Sequence, residues 1–209
     1  MAATVESRGK DGPSNRRWAR AGGWAFRQRS WLPVPLAFIL AFIRLGESET
    51  EGTLAAGALL VLLGVALRLW AVRHIGEISR TRASRHGELQ TKGPYAIVRN
   101  PLYCANWLLW TGFTLASELL WMLPIAWVIF GLQYSAIVAW EEELMRERFG
   151  SAFDRYVASV PRWMPSWRTL SAASSHPVHR WRRVFFSERG TLIAVGCMVI
   201  VLALKEATS

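Results

Sequence analysis

Cysteine is almost missing from this chain: among 209 residues there are two, Cys104 and Cys197. They lie far apart, and neither has a second Cys or a His at a metal-ligand spacing, which excludes a disulfide framework and a zinc site, so no metal is expected. Charge is missing from whole stretches. Trp31 to Leu45 carries only Arg44, Gly52 to Val72 only Arg68, and Pro101 to Trp140 only Glu118, while Gly190 to Leu204 carries none. There is no internal repeat. The apolar run after the basic leader lacks a small-residue cleavage pattern, so it reads as a retained anchor and not as a removed signal peptide.

What the chain has in quantity is apolar surface and positive charge, 52% hydrophobic residues with a formal charge of +10. The two coexist because they occupy different segments. A helix needs about 20 mostly apolar residues to cross the hydrocarbon layer. Gly52 to Val72 suffices for one pass and Pro101 to Trp140 for two, whereas Trp31 to Leu45 and Gly190 to Leu204 are shorter candidates. The expected fold is all-α, a polytopic transmembrane helical bundle of about five spans. Its length suits one domain: a basic, mobile cytoplasmic N-terminus (residues 1–28), a membrane domain (29–168), then a loop and an extra C-terminal span (169–209). The loop is expected over residues 171–179, where Ser and Ala cluster.

Charge placement predicts the orientation. Seven Lys or Arg stand against two acids before Trp31, six against two from Arg73 to Arg99, and nine against six from Glu141 to Arg189. The link between the first two spans holds Glu47, Glu49 and Glu51 and no Lys or Arg. Under the positive-inside rule the basic segments are cytoplasmic and the acidic link lies outside, and the 12 Trp residues suit interfacial belts. The protein is therefore expected to be multi-pass in the inner or plasma membrane of a bacterium, with membrane lipid as a partner. Basic residues that flank apolar spans answer to anionic lipid headgroups, and no nucleic-acid motif occurs, so nucleic acid is excluded as a partner.

The stretch Gly93-Pro94-Tyr95-Ala96-Ile97-Val98-Arg99-Asn100-Pro101-Leu102-Tyr103 sets two changes of backbone direction, a cation and two phenols ahead of forty apolar residues. The only charge in that run, Glu118, marks its break beside Ser117, predicting a tight helical hairpin. A hairpin brings Arg99-Asn100-Pro101 at its entrance beside Glu141-Glu142-Glu143 at its exit. Three adjacent carboxylates at a membrane boundary demand cations: Arg99 is the long-range partner, and Arg146 can reach Glu142 at i, i+4. Beyond them, Leu144, Phe149, Phe153, Tyr156, Val157 and Val160 predict an amphipathic helix that Gly150 interrupts and Pro161 and Pro165 end.

Gly93-Pro94-Tyr95, Arg99-Asn100-Pro101-Leu102-Tyr103, Glu141-Glu142, Leu144, Phe149-Gly150, Tyr156, Val160-Pro161-Arg162 and Pro165 together resemble the isoprenylcysteine carboxyl methyltransferase and phospholipid methyltransferase family, from about Leu67 to Pro165. The resemblance implies an integral membrane enzyme that moves a methyl group from S-adenosylmethionine to a lipophilic or lipid acceptor, in a cofactor pocket on the cytoplasmic side. Carried over by position, Leu89, Gln90, Tyr95, Asn100, Pro101, Leu102, Tyr103 and Glu141 would contact the cofactor, and Arg99, Asn100 and Glu142 would carry the catalytic roles. Two departures bear on the acceptor. Many members have His where this chain has Asn100, and carboxyl-methylating members have an arginine at the position of Ile137. An isoprenylcysteine-type carboxylate, a phospholipid amine and a hydrophobic thiol all stay open as acceptors. The Gly-rich loop of soluble Rossmann methyltransferases is absent. The rival readings are a nicotinamide-dependent helical membrane lipid reductase and a non-enzymatic scaffold that binds anionic lipid.

Overall fold

The structure, a computed structural model, describes residues 13–43, 51–75, 88–166 and 179–208, with the backbone alone for 13–20 and 51. The acidic link at residues 44–50 and residues 171–178 of the expected 171–179 loop lie outside the described residues. Among the described residues there are eight helices and no strand. They are α1 (Pro13–Gln28), α2 (Val34–Phe42), α3 (Glu51–Ile75), α4 (Pro94–Ile97), α5 (Pro101–Leu115), α6 (Met122–Phe149), α7 (Ser151–Ser159) and α8 (Trp181–Ala207).

Three of them, α3, α6 and α8, are long and apolar enough to cross a membrane. The five spans expected from the sequence are not reached by length: α2 has 9 residues and α5 has 15, against the roughly 20 that a full crossing takes. Both are cut by local chemistry. Pro33 sits at the start of α2, and α5 begins at Pro101, where a missing N–H costs nothing. α5 stops at a turn in which Glu118 adopts φ 66°, so the break falls where the lone charge predicted it.

Beyond that turn α6 returns antiparallel to α5. Trp127 Nε1 donates to Thr111 Oγ1 at 3.1 Å, the Trp110 and Phe130 rings stack with centroids 5.1 Å apart, and Tyr103 meets Tyr134 at 5.1 Å. This register carries residues 99–103 to the level of 141–142. α3 lies along α5 at very short range, because glycines face each other: a Cβ on Gly112 would stand 2.6 Å from the Gly57 carbonyl oxygen. Small residues allow such approach between membrane helices.

The basic leader, expected to be mobile, supplies α1, whose Gly22 and Phe26 pack on Ala136 and Trp140 of α6. At the opposite end of the bundle Lys205 of α8 donates to the Ser117 carbonyl at 2.6 Å and to the Leu40 carbonyl at 3.4 Å. That clasp ties α8 to α2 and to the hairpin turn. The core runs through Leu40, Leu109, Phe113, Leu119, Phe130 and Ile137. Leu62, Val128, Leu132, Ile193 and Ile200 face outward, as lipid-facing positions would. Both cysteines are free.

Candidate functional site

The hairpin register sets up the site. Arg99 Nη1 donates to Glu142 Oε1 at 2.8 Å, and the Tyr103 hydroxyl donates to Glu141 Oε2 at 3.1 Å. The long-range pairing of Arg99 with the glutamates is therefore present. The expected Arg146–Glu142 pair is not: Arg146 Nε bonds Asp154 Oδ1 at 3.1 Å instead. Glu142 takes its second cation from Arg162, through Nε at 3.1 Å and through Nη2 to the other carboxylate oxygen. The reason is backbone routing. After Gly150 (φ 52°) α7 turns back, and the segment that follows is stitched to the entrance of α5: Arg99 N donates to the Pro161 carbonyl at 2.9 Å and Asn100 Nδ2 to the Arg162 carbonyl at 3.1 Å.

Two cations on one buried carboxylate, with the Arg99 side chain 12% and the Arg162 side chain 39% exposed, form a compact triad. Burial pushes the Arg99 guanidinium below the usual arginine range, and Glu142 opposes that shift. Tyr156, on α7, donates to the Tyr95 carbonyl at 2.7 Å and so docks α7 over α4. Burial raises both phenols, Tyr95 and Tyr156, well above the ordinary tyrosine range; for Tyr95 the neighbouring Tyr156 and Glu141 push the same way and Arg68 opposes. Among the described residues the buried Tyr95 hydroxyl meets no hydrogen-bond partner.

Gly93 shapes the near wall. Its φ of 61° suits glycine, and a Cβ there would lie 2.3 Å from His74 Nε2. His74 Nδ1 donates to the Trp70 carbonyl at 2.9 Å, and Gln90 Nε2 donates to the His74 carbonyl at 2.6 Å. Gln90 thus ties the approach to α4 onto the end of α3.

All the residues singled out from the sequence line one cavity of about 1190 Å³: Leu89, Gln90, Tyr95, Arg99, Asn100, Pro101, Leu102, Tyr103, Glu141 and Glu142. Its far half is apolar. It passes between Val34, Ala37, Phe38 and Ala41 of α2 and Gly190, Ala194, Val195 and Cys197 of α8. Sequence reasoning gave no role to Arg162, Arg68 or Glu188. Arg162 was part of a quoted motif, and Arg68, the lone charge in an apolar span, was itself a signal of function.

A helical membrane bundle with an ion triad around the buried Glu142, beside a cavity that is polar at one end and apolar at the other, defines the class. The comparisons place the chain within it. The family model described as phospholipid methyltransferase matches residues 53–152, starting before and ending before the motif-based range of 67–165. The nickel-cobalt-cadmium resistance protein NccN of Alcaligenes xylosoxydans xylosoxydans is 30% identical over 155 residues, 71% of this chain and 69% of that protein. The cobalt-zinc-cadmium resistance protein CzcN of Cupriavidus metallidurans is 30% identical over 152 residues, 70% of this chain and 67% of that protein. Protein-S-isoprenylcysteine O-methyltransferase B of Arabidopsis thaliana is 26% identical over 117 residues, 52% of this chain and 57% of that protein. No solved structure matches the chain. The chain belongs to the isoprenylcysteine carboxyl methyltransferase and phospholipid methyltransferase family of membrane proteins. α2 and α8, which form the apolar half of the cavity, both lie outside the matched residues.

Proposed function

We propose that this protein is an integral membrane methyltransferase that uses S-adenosylmethionine as methyl donor and a lipophilic molecule as acceptor. The observation that carries this is one cavity with a polar end at Tyr95, Tyr103 and Glu141 and an apolar end between α2 and α8. At about 1190 Å³ it exceeds the roughly 300–1,000 Å³ of a pocket for one small ligand, which suits two reactants. The residues fit the donor. The buried Tyr95 hydroxyl lacks a partner among the described residues, and Glu141 is a carboxylate held in place by Tyr103.

Bound S-adenosylmethionine supplies a methyl group on a positively charged sulfur. Glu141 would hold its ammonium or its ribose hydroxyls, and the faces of Tyr95 and Tyr103 would attract the sulfonium by about 0.5–2 kcal/mol. Leu89, Gln90, Pro101 and Leu102 form the surrounding wall. Arg99 would face the donor's carboxylate while remaining bonded to Glu142. Glu142 and Asn100 act as positioning residues: Glu142 holds Arg99 and Arg162, and the Asn100 amide holds the segment that delivers Arg162. An amide takes no proton at neutral pH, so Asn100 is given no role as a base. Alignment in a dry cavity then supplies the catalysis, worth roughly 7–11 kcal/mol for well-oriented reactants.

In this reading α2 and α5, although shorter than a full crossing, make the remaining two of five passes together with the irregular residues at their ends, beside the three long spans. The end that carries Arg27, Arg73, Arg99, Arg146 and Arg182 is cytoplasmic, as the positive-inside rule asks, and so is the donor's entrance. The names of the first two relatives attach those proteins to metal resistance. The third relative's name states methyl transfer to isoprenylcysteine, and it agrees with the chemistry of this cavity. Calorimetric titration of the detergent-solubilised protein with S-adenosylmethionine and S-adenosylhomocysteine tests the proposal. Saturable binding is expected, and folded protein that binds neither overturns it.

A further inference from the structure

One end of the methyl donor is an amino acid. Its ammonium and its carboxylate hang on the same carbon, so a side-chain carboxylate that takes the first needs a cation close beside it to take the second. Glu141 supplies the acid, and four arginines line the cavity: Arg29, Arg68, Arg99 and Arg148. They are placed differently. Arg68 bonds Glu188 and Asn106, Arg99 bonds Glu142, and Arg148 lies exposed over the Phe149 ring at 4.8 Å. Arg29 is half-buried over the Phe26 ring at 3.8 Å, and its charge is the one that bears on both Glu141 and Tyr103.

Arg29 reaches that place because α1 is docked on α6 at backbone range. A Cβ on Gly22 would stand 2.1 Å from the Ala136 carbonyl oxygen, and one on Gly23 would stand 3.3 Å from Trp140 Nε1. One turn further on, the Phe26 ring meets the Trp140 ring at 5.1 Å, and Trp140 immediately precedes Glu141. The chain then turns sharply, with Trp31 N and Leu32 N donating to the Gln28 carbonyl at 2.9 and 3.0 Å. That turn holds Arg29 just past the end of α1, on the outer side of an aromatic pair whose inner side is the Glu141 helix. α1 lies outside residues 53–152, so it is an element added to the part of the site that the family model covers.

We propose that Arg29 receives the carboxylate of S-adenosylmethionine while Glu141 takes its ammonium, so that α1 completes the amino-acid end of the donor subsite. The proposal rests on the methyltransferase reading and gives a donor contact to a segment outside the family match. A carboxylate has room for two guanidiniums, as Glu142 shows with Arg99 and Arg162. Arg29 therefore shares the donor's carboxylate with Arg99, which stays bonded to Glu142. Without Arg29 the ammonium keeps its partner, and the carboxylate is left with a guanidinium that Glu142 already occupies.

The test uses two ligands that differ in that one group. The full-length, detergent-solubilised protein and its Arg29→Met variant, which keeps an apolar arm over Phe26, are titrated with S-adenosylhomocysteine and with decarboxylated S-adenosylhomocysteine, which retains the nucleoside and the ammonium. Arg29→Gln is titrated beside them, so that the result does not hang on one variant's folding. The parent is expected to prefer S-adenosylhomocysteine. Both variants are expected to bind it about tenfold more weakly while holding the decarboxylated ligand as the parent does. A merely structural role for Arg29 would weaken both ligands alike, and that outcome overturns the assignment. Unchanged binding of S-adenosylhomocysteine by the variants, or a parent without preference between the ligands, overturns it too, and in each case the methyltransferase reading still stands. A folded parent that binds neither ligand overturns both.

Discussion

Glu142 is the residue on which the polar end turns, since it alone answers both Arg99 and Arg162. Its replacement leaves Arg99, whose side chain is 12% exposed, without its counter-charge. Glu142→Ala is expected to lower stability by about 3 kcal/mol, as for a buried pair broken on one side. Arg162→Ala should cost about 1 kcal/mol, because that side chain is 39% exposed and screened; thermal unfolding in detergent compares the two. Tyr103→Phe keeps the ring but frees Glu141, and about a tenfold loss of S-adenosylmethionine affinity with an unchanged melting temperature is expected. Tyr95 and Tyr156 set an alkaline limit. Both are raised on folding, chiefly by burial, so the unfolded chain releases their protons first. Their contribution is complete below the unfolded value of about 10 and is lost as pH rises above it. The loss of stability between pH 10 and 11 should shrink in Tyr95→Phe; an unaltered alkaline profile would count against the burial of that phenol.

At the scale of elements, two glycines decide how helices meet. Gly112 lets α5 approach α3 so closely that Gly112→Leu must drive them apart, and loss of folded protein after solubilisation is expected. Gly150 is a different case. A Cβ there would touch nothing within 4 Å, yet φ is 52°, so Gly150→Ala should cost only the backbone strain of about 1–3 kcal/mol. That strain falls on the join between α6 and α7, and faster proteolysis after residue 150 is the readout. The hairpin and the Gly150 break were legible in the sequence because both rest on local signals, a lone charge in an apolar run and a glycine inside an amphipathic one. The Arg146–Glu142 expectation failed for the converse reason. Spacing of i, i+4 makes a contact available, but the turn at Gly150 brings Asp154 to Arg146 and Arg162 to Glu142, and these pairings come from the return of the chain.

At the scale of the whole molecule, the segments outside the family match are structural parts of the cavity and not appendages. α1 packs on α6, α2 and α8 form the apolar walls, and Lys205 fastens them at the far end. The proposed orientation rests on which end is basic. Ser30→Cys should react with an impermeant maleimide only from the cytoplasm and Thr208→Cys only from the opposite side; the reverse pattern would invert the proposed topology.

The sequence by itself determined that the protein is helical, that it is built for a membrane, and which end of the hairpin is charged. Those properties follow from composition and from signals within a few residues. Only the tertiary structure decided that Arg162 completes the Glu142 triad, that Arg68 meets Glu188 across 120 positions, and that α2 and α8 enclose the apolar half of the cavity. Helices that are apolar on nearly every side carry little record of their rotation or their neighbours. Their partners are settled by close glycine contacts, by turn geometry, and by the need of each buried charge for another.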